Sequence, residues 1–233
     1  MTNATFGLRK QISVAIADEQ AHPRLGSYLK TIYRDRGINV EEYHIQEAVK
    51  FIFNYIRSVP VLLESFDFTA NQVGKSAEIQ PFLTSIATYF SRQDDYVSDR
   101  YGLFGLLDDA FFACKTIEFY DDAYYHKTGQ NLIQDYDIQR SNTMIGNILG
   151  QNISTRIVND IKKELSSLQS KKNLETVAGV IIGGLLIGAV VNQLTAQSSN
   201  SYNSSSGSSG WHEDDMAAGM AEIQSSLNRS RRR

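Results

Sequence analysis

Twenty consecutive residues near the end of the chain, TVAGVIIGGLLIGAVVNQLT at positions 176–195, carry no charge. A helix rises about 1.5 Å per residue, so a run of this length reaches about 30 Å, the thickness of a bilayer's hydrocarbon core. Asn192 and Gln193 confine its strictly apolar part to residues 177–191. A helix apolar on every side must be buried in something. Upstream stand Lys162, Lys163, Lys171 and Lys172, and downstream comes QSSNSYNSSSGSSG at 197–210, too poor in apolar surface to offset the entropy of ordering. No following element is at hand to cover the run, which makes lipid its natural solvent. The expectation is one membrane-spanning helix within residues 173–195; a core helix of a soluble bundle is the competing reading.

The lysines set a direction. Basic residues close to one end of a span are retained in the cytoplasm, and the cluster Arg229, Arg231, Arg232 and Arg233 lies too far off to compete. Residues 1–172 are therefore expected as a cytoplasmic helical bundle, single-pass anchored, with residues 196–233 as a flexible linker and tail across the membrane. Gly179 and Gly183 are spaced four apart, and Gly184 and Gly188 form a second pair turned around the helix. Two flat surfaces of this kind admit neighbouring helices and point to a homo-oligomer within the lipid bilayer. In the tail, Met216, Met220, Ile223 and Leu227 fall on one side of a short helical pattern. Either the tail docks on a protein partner or it frays, since a helix of that length is marginal alone in water.

The chain's net charge of −3 resides wholly in residues 1–175, because four acids and four arginines balance beyond Thr195. Nucleic acid is not an expected partner: a general binder needs a basic face to neutralise phosphates. Cys114 is the sole cysteine, which excludes an intrachain disulfide and a multi-cysteine metal site. The N-terminal MTNATFGLRKQISVAIADEQ lacks the basic start, sustained apolar stretch and cleavage site of a secretory signal.

Helical spacing dominates the rest. Residues 4–17 read as a short amphipathic helix. Leu25, Tyr28, Leu29, Ile32 and Tyr33 mark a second, with Pro23 in its first turn and Gly37 closing it. Residues 40–63 form a longer one with Tyr43, Ala48, Phe51, Ile52, Tyr55 and Ile56 on its buried face, kinked or ended by Pro60. Residues 69–75 read as turn, Ser76 as an N-cap, and Phe82, Leu83, Ile86, Ala87 and Phe90 as the next apolar stripe. A helix starts at Leu103. A last one runs from near Asn131 to Leu168, with Ile145, Leu149, Ile153, Ile157, Ile161 and Leu165 every fourth residue. No strand pattern emerges, and the fold class is all-α.

The densest local constellation is the acidic loop Asp95 to Asp109. Asp99 or a neighbour can accept hydrogen bonds from amides at a helix start, and Gly102 and Gly105 allow close backbone approach. Asp108 and Asp109 fall in the first turns of the helix, where carboxylates complement its dipole. A buried Asp108 needs a donor, for which Arg100 is the nearest cation in sequence. This segment resembles the YkvA-like family of bacterial helical domains, whose hallmark is Asp-x-x-Pro-Asp-x-x-Pro-x-x-Gly-x-x-Asp-Asp followed by an apolar helix. Asp95, Asp99, Gly105, Asp108 and Asp109 occupy the acidic and glycine positions, while Ser98 and Gly102 stand where the family has proline. Tyr89 and Phe90 look like the family's preceding helix end. Over residues 79–120 the resemblance implies a small helical, often membrane-associated module without an established reaction.

Carboxylates so close together suit Mg²⁺ or Ca²⁺, so Asp95, Asp99, Asp108 and Asp109 are the candidate metal ligands. Capping and ion pairing compete with that role. Asp108 and Asp109 diverge by about 100° on a helix and do not easily face one ion. Glu41 and His44 have the spacing of a di-iron helix, yet Asp122 and His126 do not repeat it. Cys114 lacks a nearby histidine to activate it. No catalytic residue and no cofactor follow from the sequence. The expected function is that of a membrane-anchored interaction or structural module, not an enzyme. The alternatives are a membrane-active effector whose glycine-rich helix assembles into a pore, and a divalent-cation-binding domain at the aspartate loop.

Overall fold

The computed structural model describes residues 3–92, 96–133 and 137–177. Seven α-helices and one 3-10 segment account for most of them: α1 Asn3–Ala21, α2 Leu25–Asp35, α3 Glu42–Gln72, α4 Ser76–Tyr89, the 3-10 segment Asp99–Leu106, α5 Leu107–Thr128, α6 Ile138–Leu149 and α7 Gln151–Val177. No strand occurs among the described residues, so the part of the chain described is all-α as its spacing indicated.

The bundle is organised around α5. Every residue from 107 to 124 except Lys115 and Asp122 is buried, and the helix packs against α3, α4, α6 and α7. Helix α1 offers Leu8, Ile12 and Ile16 to the core, one per turn, against α3, α4 and the 3-10 segment. Helix α2 does the same with Leu25, Leu29 and Tyr33, and it ends where Gly37 takes φ 72°, a left-handed conformation that costs glycine nothing. Of the expected stripe, Ile145, Leu149, Ile157, Ile161 and Leu165 are buried, and Ile153 is half-buried against the core. Aromatic packing ties the layers together. Tyr89 of α4 stacks on Phe112 of α5, ring centres 3.8 Å apart, and Tyr120 of α5 meets Phe66 and Phe82 edge to face.

Several local expectations give way to the structure. Pro60 neither ends α3 nor follows its last turn; the helix continues through it to Gln72, absorbing most of the turn expected at 69–75. An interior proline removes one hydrogen bond, at a cost of about 3 kcal/mol. Burial of Val59, Pro60, Leu62, Leu63 and Phe66 around it offsets that cost. Tyr43, placed on the buried face, is instead 61% exposed. Ser76 is the first helical residue of α4, and no side chain caps that end. The helix expected from Leu103 begins as a 3-10 turn and becomes α-helical at Leu107.

The single helix expected from Asn131 to Leu168 is two, broken at Gly150 with φ 88°. Arg36, at the end of α2, donates to the carbonyls of Asn147 and Ile148 at 2.7 and 2.9 Å. It satisfies acceptors that a continuing helix would have engaged and thereby holds the break open to α7.

No helix among the described residues is long and apolar enough to cross a membrane. Thr176 and Val177 are the last two residues of α7. The remainder of the uncharged run, with Gly179, Gly183, Gly184 and Gly188, lies outside the described residues, as do the linker and tail.

Candidate functional site

Helix α5 carries four acids that are almost wholly enclosed: Asp108, Asp109, Glu118 and Asp121. An unpaired charge in such a place is costly, so the partners of each decide what it does. Asp108 accepts the backbone amides of Tyr96 and Val97 through one oxygen, at 3.0 and 3.2 Å. The loop's own backbone thus supplies two donors to Asp108, and the Arg100 side chain, the donor expected from the sequence, lies outside what is described. In this pairing a helix carboxylate secures the preceding loop. Asp109 is buried beside it in the first turn, and both carboxylates raise the pKa of Tyr89, after burial itself. Asp99 opens the 3-10 segment, and Asp95 lies outside the described residues. At Gly102, where the resembled pattern has proline, φ is 62°, a value closed to a proline ring. Arg24 lies directly over that glycine.

At the other end of α5, Asp121 repeats the device. One oxygen accepts the amides of Leu132 and Ile133, and the other accepts from the Asn131 side chain at 2.8 Å. Between the two, Glu118 accepts from Lys115 at 2.6 Å and from Asn142 of α6 at 2.5 Å. Asn142 in turn accepts from the Tyr55 hydroxyl of α3 at 2.5 Å. Three helices meet in this chain of hydrogen bonds. Burial raises the pKa of Glu118 above the ordinary value, with Lys115 and Asn142 opposing the shift. Glu78 of α4 accepts from Lys75 at 2.7 Å and faces the Tyr120 hydroxyl at 3.4 Å.

Tyr96 extends the arrangement to α7. Its hydroxyl donates to Asp160 at 2.6 Å, Arg156 lies 4.6 Å over its ring, and Arg92 donates to Glu164 at 2.9 Å. One residue of the aspartate loop therefore joins the central helix to the helix that leads toward the uncharged run.

Cys114 is enclosed, and burial pushes its thiol up to about 12. His44 stands at the edge of the Tyr43 ring, 5.6 Å between centres, on the partly exposed side of α3. Among the described residues, no three His, Cys, Asp or Glu gather as metal ligands.

Glu19, which the sequence did not single out, is 3% exposed near the end of α1. Its Oε1 accepts the amides of Arg24 and Leu25, both at 2.6 Å, and so caps α2 from outside that helix. Its Oε2 has no hydrogen-bond partner. Glu19 forms part of the wall of a groove of about 360 Å³ between α1, α2 and the start of α3. Only a fold that bends back at Pro23 brings this carboxylate to the next helix, and no spacing in the sequence announces it. No family of proteins, no characterised sequence and no solved structure matches this chain.

Proposed function

We propose that this chain is a membrane-anchored helical interaction module, with its bundle on the cytoplasmic side, rather than an enzyme. The observation that carries the reading is the uncharged run at 176–195, entered from α7, a helix that is continuous through Val177. The buried acids fit a scaffold: Asp108 and Asp121 fix loops, and Glu118 joins helices. The resemblance of residues 79–120 to the YkvA-like segment supports the same assignment. In this reading Tyr96, Arg92 and the buried face of α7 hold the bundle at a set distance from the bilayer, and Lys162, Lys163, Lys171 and Lys172 keep it cytoplasmic. Gly179, Gly183, Gly184 and Gly188 provide helix-packing surfaces for a homo-oligomer.

The test compares the full chain with one truncated after Asn173 in membrane fractionation with carbonate extraction. Leu165 is the last buried core residue described, so the truncation spares the core. Retention of the full chain alone in the carbonate-resistant pellet is the expected result; equal solubility of both sinks the anchor. A pore would add toxicity on expression, relieved by Gly184→Leu.

A further inference from the structure

We infer that the groove between α1, α2 and α3 is a binding site for a primary alkylammonium group, recognised by Glu19. Three observations converge there. Glu19 is enclosed, with Oε1 committed to the amides of Arg24 and Leu25 and Oε2 lacking a partner. The wall of the groove also contains Lys30 and Glu42, paired at 2.5 Å, so among its charged residues Glu19 alone has no ion-pair partner; Arg24, whose amide it accepts, directs its guanidinium to Asp18. Pro23, Val49 and Phe53 give the same groove an apolar side.

The chemistry follows from that division. A guanidinium prefers both oxygens of a carboxylate, and here one is already engaged. An ammonium is a compact donor that one oxygen satisfies, and its alkyl stem suits the apolar side formed by Val49 and Phe53. A volume of about 360 Å³ lies within the range of small-ligand clefts. Oε2 is closed to bulk water, so ligand entry requires a local adjustment of the Glu19 side chain. The same chemistry is offered by a free alkylamine and by a lysine side chain of a partner.

The experiment titrates n-butylammonium, the blocked tripeptide acetyl-Gly-Lys-Gly-amide and tetramethylammonium into the full-length chain in neutral detergent. Binding is read from the amide resonances of Arg24 and Leu25. Saturable shifts are expected with either or both of the first two probes, and the tighter of them identifies the source. Tetramethylammonium has the charge but no N–H and is expected not to saturate. Glu19→Gln keeps an oxygen for the α2 cap while presenting a donor to the ligand, and should weaken binding at least tenfold. Ser27→Trp obstructs the exposed rim without touching the carboxylate and should abolish binding, which keeps the test decisive where Glu19→Gln disturbs folding. Glu64→Gln, an acid paired with Arg9 outside the groove, should change nothing. Absence of saturation at millimolar probe, equal binding of tetramethylammonium, or binding indifferent to both groove variants overturns the assignment.

Discussion

Asp108 and Asp121 perform the same task thirteen residues apart on one helix: each directs a single carboxylate oxygen at two consecutive backbone amides of a flanking loop. At about 1.5 Å per residue they stand roughly 20 Å apart. The central helix thus fixes the loop before it and the loop after it, and its acids are tethers for backbone that has no regular partner.

Removing a tether exposes its cost. Asp108→Ala leaves two loop amides without their acceptor, and each buried unsatisfied donor costs about 1–3 kcal/mol. A loss of about 2–4 kcal/mol is expected, read as a fall in the urea midpoint at unchanged slope. Asp108→Asn retains an acceptor oxygen and should lose less than half as much. An equal loss in both variants would mean that charge, not the acceptor, is what the loop needs.

Glu118 gives the fold a pH dependence of definite sign. Burial, opposed by Lys115 and Asn142, raises its folded pKa above the ordinary 4.5. The native state then holds a proton that the unfolded chain has released, so stability falls as pH rises from the unfolded value through the folded one. Its favourable contribution is complete below about pH 4.5 and lost above the folded pKa. Glu118→Gln should flatten that part of the stability profile, measured as urea midpoints between pH 4 and 8; an unchanged slope assigns it to Asp122, whose pKa burial also raises.

The Tyr55–Asn142 bond is open to a double-mutant cycle. Tyr55→Phe removes a hydroxyl from a buried hydrogen bond and should cost about 1–2 kcal/mol. Asn142→Ala also strips Glu118 of a donor, and should cost about 2–4 kcal/mol. A coupling energy of at least 0.5 kcal/mol between them is the expected mark of one network.

Two glycines should respond oppositely to alanine. Gly102 has φ 62° and ψ −126°, and an added Cβ would fall 2.5 Å from Arg24 Nη2. Gly102→Ala is expected to destabilise by about 1–3 kcal/mol. At Gly26, within α2, the added Cβ would meet Ile45 and Val49 at 3.6 and 3.9 Å, ordinary contact distances. Gly26→Ala should be neutral or raise stability by up to about 1 kcal/mol, on helix propensity alone. Thermal melts of the pair decide both.

Cys114 should be silent toward thiol reagents in the folded protein. With its thiol enclosed and pushed up to about 12, it presents almost no thiolate at pH 8. Labelling by iodoacetamide is expected only on unfolding, at the rate at which denaturant opens the bundle.

What was legible in the sequence was whatever repeats locally. The stop at Gly37 and five of the six positions of the stripe from Ile145 to Leu165 rest on contacts within a few turns, and they read correctly, while Ile153 is half-buried. Asp108 and Asp109 lie in the first turn of α5 as expected, but the amides that receive Asp108 sit eleven and twelve residues upstream. Helix α5 is buried almost all round and so carries no polar face to outline its role. Glu19, Glu118 and Asp121 look like ordinary surface acids until the helices close on them. Pro60 does not end α3, because the packing around it outweighs a helix-breaking cost of about 3 kcal/mol that the local sequence alone displays. The break at Gly150 was missed because the group that holds it, Arg36, is 111 residues from the first carbonyl it caps.

That separation also orders events during synthesis. At about 5–20 residues per second, Arg36 is polymerised roughly 6–22 s before the carbonyls of Asn147 and Ile148 exist. The stop of α6, and with it the direction taken by α7, is therefore set by a residue made well before the carbonyls it must meet.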